Sequence, residues 1–293
     1  MSGARAVRIY TGAVFFLFVA ISGLFMAAGG LGLAASAGMI GLLWSPMLAW
    51  PALEALRRPP PALVLFALFV VWAAISLSWS PYDRPDQALK LLLLTPLFVL
   101  FPYGVSRLDA RRRERFAAFA IIVLSLTGVY FAIEALLGAP LATAVKIAEG
   151  APPPEARILA MRTISRGASA FVLAAGPAAL FLWLHRRRLA AGALLVTAAL
   201  AAAGFNVDAN IAALAAGAAA GIAAWLNPRR ALPVMLYAAG AGVLLTPLIL
   251  SAIVALVSED VAAGLPFSWH QRLEIWAYSL ERLGETPFLG LGL

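Results

Sequence analysis

From Tyr10 to Ala28 the chain reads YTGAVFFLFVAISGLFMAA, nineteen residues without a charge. A helix rising 1.5 Å per residue needs about 20 apolar residues to cross the hydrocarbon of a bilayer. Runs of this kind recur as far as residue 257, so lipid is the solvent for most of the chain. Charge content agrees: 12% of the residues are charged, about half of what soluble domains carry. The fold class this predicts is all-α, a polytopic transmembrane helical bundle.

Nine spans are expected, near 10–28, 31–53, 61–79, 88–104, 116–138, 166–184, 189–205, 210–226 and 231–257. Those at 189–205 and 210–226 are short for the purpose. Stretches such as AALAAGAAAGIAAW let helices approach closely. The first run passes almost directly into the second and lacks the cleavage site of a signal peptide. Residues 1–257 are thus expected to form the bundle, with 258–293 an outer segment that exceeds a simple turn. No cysteine is present, and two histidines, His185 and His270, cannot build a zinc site unaided.

Charge sorts the connections into two alternating sets. The N-terminus, the RRPP at Arg57, SRLDARRRERF from Ser106, HRRR from His185 and NPRR from Asn227 hold 14 of the 22 Lys and Arg, with only three acids. Lys and Arg in short loops mark the cytoplasmic side. The chain is therefore expected with its N-terminus inside. The net charge of +8 reflects this topology; nucleic-acid binding, which needs a continuous basic face, is excluded.

The opposite set needs no arginine for topology, yet holds Arg84, Arg157, Arg162, Arg166, Arg272 and Arg282. Arg162 and Arg166 sit four apart at the start of a span, on one face if the helix begins that early. A helix N-terminus with two guanidiniums suits a phosphate. Snorkelling anchors at the headgroups explain the same pair. The 139–165 segment before them, with its EGAPPPEAR, reads as a proline-rich, semi-rigid loop. Glu134, near the outer end of its span, is expected either to pair with an outer arginine or to snorkel. In SWHQRLEIWAYSLERLGETPFLGLGL, Trp269, Leu273, Trp276, Leu280 and Leu283 form one apolar stripe. Such a helix lies at a membrane surface, its tryptophans at headgroup depth.

That last stretch resembles the O-antigen ligase and polymerase family, whose hallmark is Arg-x-x-x-Trp followed by Pro-x-x-Gly-x-Gly: here Arg272, Trp276, Pro287, Gly290 and Gly292. ISRGASAFVLAAGPAAL is similar to the family's arginine-led span, with Arg166 at the arginine. The resemblance implies a membrane glycosyltransferase with its site facing the periplasm. It moves a glycan from a polyprenyl-diphosphate carrier to a saccharide acceptor, the lipid A core or a growing polysaccharide. Arg166 and Arg272 are then the diphosphate ligands at the catalytic centre, with Arg162, Trp276, Glu274 and His270 as substrate-binding candidates. Trp276 is expected to prop Arg272, and Glu274 to orient it or to face solvent. No metal or cofactor is implied, since guanidiniums can stabilise the departing diphosphate. Two departures stand out. Asp208 and Asn210 occupy a place where the family often has an arginine, and the chain looks like an N-terminal portion, without the family's downstream histidine. The rival readings are a transporter or flippase of lipid-linked saccharides, which wants arginines along a path through the bundle, and a non-catalytic scaffold of an envelope polysaccharide complex.

Overall fold

The structure, a computed structural model, describes residues 3–30, 32–55, 57, 59, 61–80, 85–106, 108–205, 208–265 and 267–285. Among them all regular structure is helical. The first five helices are α1 (Gly3–Ala27), α2 (Gly32–Ala55), α3 (Pro61–Ser76), α4 (Pro85–Ser106) and α5 (Ala110–Leu137). A short α6 (Pro140–Ala148) leads to α7 (Pro153–Leu184), α8 (Arg188–Gly204), α9 (Asp208–Leu226) and α10 (Pro228–Leu256). Last come α11 (Glu259–Gly264) and α12 (Phe267–Glu285). Polar residues start several of them. The Asp109 carboxylate accepts the Arg112 amide at 2.8 Å, and Asn227 accepts the Arg230 amide at 3.3 Å, supplying partners that a first turn lacks.

Among the described residues six helices are long and apolar enough to cross a membrane: Ile9–Ala27, Asp86–Val105, Ala110–Leu137, Pro153–Leu184, Ala209–Leu226 and Arg229–Leu256. Shorter apolar helices, Gly32–Trp44, Leu63–Trp79 and Arg188–Gly204, fall where further spans are expected. The chain is an all-helical membrane protein.

The 139–165 segment departs from expectation. It is not a proline-rich loop but α6 and the first turns of α7. Prolines cause this rather than prevent it: Pro140 and Pro153 sit at first helical positions, where a fixed φ helps and no amide is missed. From Pro153 onward Ala156, Ala160, Ile164, Gly167 and Ala168 are buried at helical spacing, so a packed face holds the helix through its arginines.

The chain divides into two units, Met1–Arg58 with Leu94–Ala219, and Pro59–Leu93 with Ala220–Leu293. In the first unit Phe131 of α5, Ile164 and Phe171 of α7 and Leu194 of α8 centre a core otherwise rich in alanine. Glycines bring the backbones together. A Cβ at Gly167 would lie 1.8 Å from the Met26 carbonyl oxygen, and one at Gly204 2.4 Å from the Ala135 Cβ. The pairings set directions. Phe16 meets Phe116 and Gly23 meets Val123, so α1 and α5 run parallel. Ala135 on Gly204 and Gly128 on Thr197 align α8 with them. Met26 on Gly167 and Gly29 on Thr163 set α7 against α1. The first turn of α5 and the α7–α8 turn therefore share one end of this unit, and α6 and the first half of α7 lie toward the other.

In the second unit α12 packs on α10. The most apolar stretch of α10 is buried nowhere by protein, as fits a surface that lipid covers.

Candidate functional site

Arg162 and Arg166 lie in the third and fourth turns of α7, not at its N-terminus. The free N–H groups of the first turn, around Pro153, are nine residues away from Arg162, so the helix end contributes little to an anion there. What positions the pair is packing. Ile164, Gly167 and Ala168 turn inward, and the Gly29–Gly30 turn presses on the same stretch. A Cβ at Gly29 would lie 2.8 Å from the Thr163 carbonyl oxygen and one at Gly30 3.5 Å from that of Arg166. Gly29 and Gly30 adopt φ of 101° and 77°, open to glycine alone at little cost. Both guanidiniums are exposed and meet no carboxylate among the described residues.

Beside this turn, between α1, α5, α6 and α7, lies a cavity of about 280 Å³. Its walls are mainly apolar, with Tyr130, Lys146, Glu149 and Thr163 as the polar lining. Lys146 Nζ donates to Glu149 Oε2 at 2.7 Å. Neither Tyr130 nor Lys146 stands out in the sequence, because the helix that brings Lys146 here was expected to be loop.

Glu134 does neither thing expected of it. Its side chain is fully buried, and its two carboxylate oxygens accept the amides of Leu141 and Ala142, each at 3.0 Å. It is the cap of α6, reached across a turn in which Gly138 and Ala139 are left-handed. The Arg157 guanidinium lies over that turn, with Nη2 3.1 Å from where a Gly138 Cβ would be.

The second half of the expected set is on α12, in the other unit. Arg272 Cζ sits 5.0 Å from the Trp269 ring centroid. The prop is therefore Trp269 and not Trp276. Long helical side chains lean toward the N-terminus, which brings Arg272 back over the residue three before it. Glu274 does not orient Arg272: its Oε1 is 3.3 Å from His270 Nε2. Leu273, Trp276 and Leu280 are half-buried, while Trp269 and Leu283 stay exposed at the ends of the stripe. Arg282 is tied to both oxygens of Glu285 at 2.8 and 2.7 Å, and its hydrogen bonds to Glu285 and Tyr278 push its pKa above the ordinary arginine value. Arg272 meets no carboxylate among the described residues.

Arg84 and the motif residues Pro287, Gly290 and Gly292 lie outside the described residues. Asn210 is buried at the head of α9, and its Nδ2 has no hydrogen-bond partner among the described residues. Among the described residues no three His, Asp or Glu side chains gather as a metal site would require. Comparison with protein-family models, curated proteins and solved structures gives no match for this chain.

Proposed function

We propose that this membrane protein is a glycosyltransferase of the O-antigen ligase and polymerase kind, taking its glycan from a polyprenyl-diphosphate carrier. The reading starts from the motif residues Arg166, Arg272 and Trp276. The observation that carries it further is that Arg166 and Arg272 are exposed and unclaimed by any carboxylate among the described residues. Arg112 and Arg282, by contrast, each hold an acid. Unclaimed guanidiniums can donate in pairs to phosphate oxygens.

In this reading the resemblance makes each of Arg166 and Arg272 a diphosphate ligand, a guanidinium suited to the charge that grows as the glycosidic bond breaks, with Arg162 in support of Arg166. The Trp269 ring lies beneath the Arg272 guanidinium, its centroid 5.0 Å from Cζ. The apolar cavity beside Thr163 offers room for part of a lipid. The site faces the periplasm, by the charge alternation of the loops.

The test is transfer by the full-length protein in a bilayer, with a polyprenyl-diphosphate glycan and a saccharide acceptor, without ATP or an ion gradient. Transfer that is lost in Arg272→Ala and Arg166→Ala at equal abundance supports the reading. Movement of the lipid across the bilayer with no transfer would assign a flippase instead.

A further inference from the structure

At the end of the first unit away from α6, two segments far apart in sequence meet. Glu114 in the second turn of α5 has its Oε1 3.6 Å from Nε2 of His185, the residue that closes α7. Around this contact stand Arg111, Arg112, Arg113 and Arg115 from α5 and Arg186, Arg187 and Arg188 from the α7–α8 turn. Only two acids, Asp109 and Glu114, are interspersed with them in sequence. Asp109 holds Arg112 at 3.3 Å and Glu114 faces His185. Arg111, Arg113, Arg115, Arg186 and Arg187 are exposed and make no ion pair among the described residues.

Topology alone does not ask for this arrangement, since sidedness is read from the number of basic residues in a loop and not from their convergence. The turn is also held. The amides of His185, Arg186 and Arg187 donate to the carbonyls of Phe181, Trp183 and Leu182, at 3.1, 3.0 and 2.9 Å. Arg186 takes a φ of 61°, the left-handed backbone state that residues other than glycine adopt only where their surroundings hold them there. The His185 ring stacks on Phe181 with centroids 4.0 Å apart. One cation is seated on an aromatic ring: Arg188 Cζ lies 5.2 Å from the centroid of Trp183, which is exposed beside the exposed Leu184 and Leu189. Exposed guanidiniums on a held turn, an indole and bare leucines thus occur at the same end of a lipid-covered bundle.

We propose that this end is a binding site for anionic phospholipid headgroups, with Arg111, Arg113, Arg186 and Arg187 on the phosphates and Trp183, Leu184 and Leu189 against the acyl chains. Guanidinium forks match phosphate oxygens two at a time, and basic clusters between spans at a membrane face select anionic lipid over zwitterionic. The site is independent of the transfer reading and lies at the other end of the unit from Arg162 and Arg166.

The test uses the full-length protein in nanodiscs of phosphatidylcholine doped with phosphatidylglycerol or cardiolipin, with retained lipids counted by native mass spectrometry. The wild type keeps anionic lipid in preference to phosphatidylcholine. The pair Arg111→Gln with Arg187→Gln lowers that preference about tenfold, while its melting temperature in pure phosphatidylcholine stays that of the wild type. If the pair proves unstable, Arg113→Gln with Arg186→Gly serves, since glycine accepts the left-handed backbone at residue 186. Retention of anionic lipid by either folded variant at the wild-type level overturns the site, as does a wild type without preference. Millimolar inorganic phosphate is expected to leave the bound lipid in place. Full displacement by it would reassign the cluster to a soluble phosphate ligand.

Discussion

Arg272 shows how far a side chain's direction matters. Its ring partner is three residues before it, and the Trp276 of the motif is left for packing. Under the proposed transfer reaction, removing the arginine is expected to cost on the order of 100-fold to 1,000-fold in rate, the loss typical of one donor to a developing anion. Trp269→Ala is expected to weaken transfer less, because it loosens the guanidinium without deleting it. The check is initial transfer rates at matched abundance. Glu134 makes a different prediction. Its two bonds to α6 amides join a buried carboxyl group to a helix N-terminus. Glu134→Ala leaves both donors unsatisfied and should destabilise the fold by about 1.5–3 kcal/mol. Glu134→Gln keeps one acceptor oxygen and should fall between. Thermal unfolding in detergent orders the three proteins. Neither the Trp269 prop nor the Glu134 cap was legible in the sequence. Both pairings were open to several partners, and only backbone direction and turn geometry select one.

At the scale of elements, six of the nine expected spans coincide with helices long and apolar enough to cross a membrane, and the 139–165 connection was not legible. Hydropathy marks α1, α5 and α10 because lipid and protein core ask for the same residues. It fails on α6, nine residues long with Lys146 on it and Glu149 just past its end. It also misses the start of α7, where Arg157, Arg162 and Arg166 lower the average while Ala156, Ala160 and Ile164 keep the helical spacing. Periodicity was the signal there, and prolines at first helical positions were the punctuation. The same scale gives a paired prediction on α7. Gly167→Ala sets a methyl against the Met26 backbone and must push α1 away, at about 1–3 kcal/mol. Gly176 has nothing within 4 Å of its Cβ position. Gly176→Ala should be neutral or should stabilise by up to about 1 kcal/mol through helix propensity. Melting temperatures of the two variants decide it.

For the whole molecule, the absence of cysteine makes sidedness directly measurable, because single cysteines can be added to the natural chain. Charge alternation predicts that Glu155→Cys and Glu281→Cys react with an impermeant maleimide from the periplasmic side, and Arg113→Cys and Arg229→Cys only after the membrane is opened. The reverse pattern inverts the proposed orientation and moves Arg166 and Arg272 to the cytoplasm. One dimension of the molecule bears on this. Helix α7 has 32 residues, which at 1.5 Å each makes a rod about 48 Å long. Hydrocarbon is only about 30 Å thick. Measured back from Leu184, about 20 residues exhaust that depth, and the count runs out between Arg162 and Arg166. The two guanidiniums would then mark the waterline of the rod, with the remainder standing proud of the lipid as a mast against which α6 is moored.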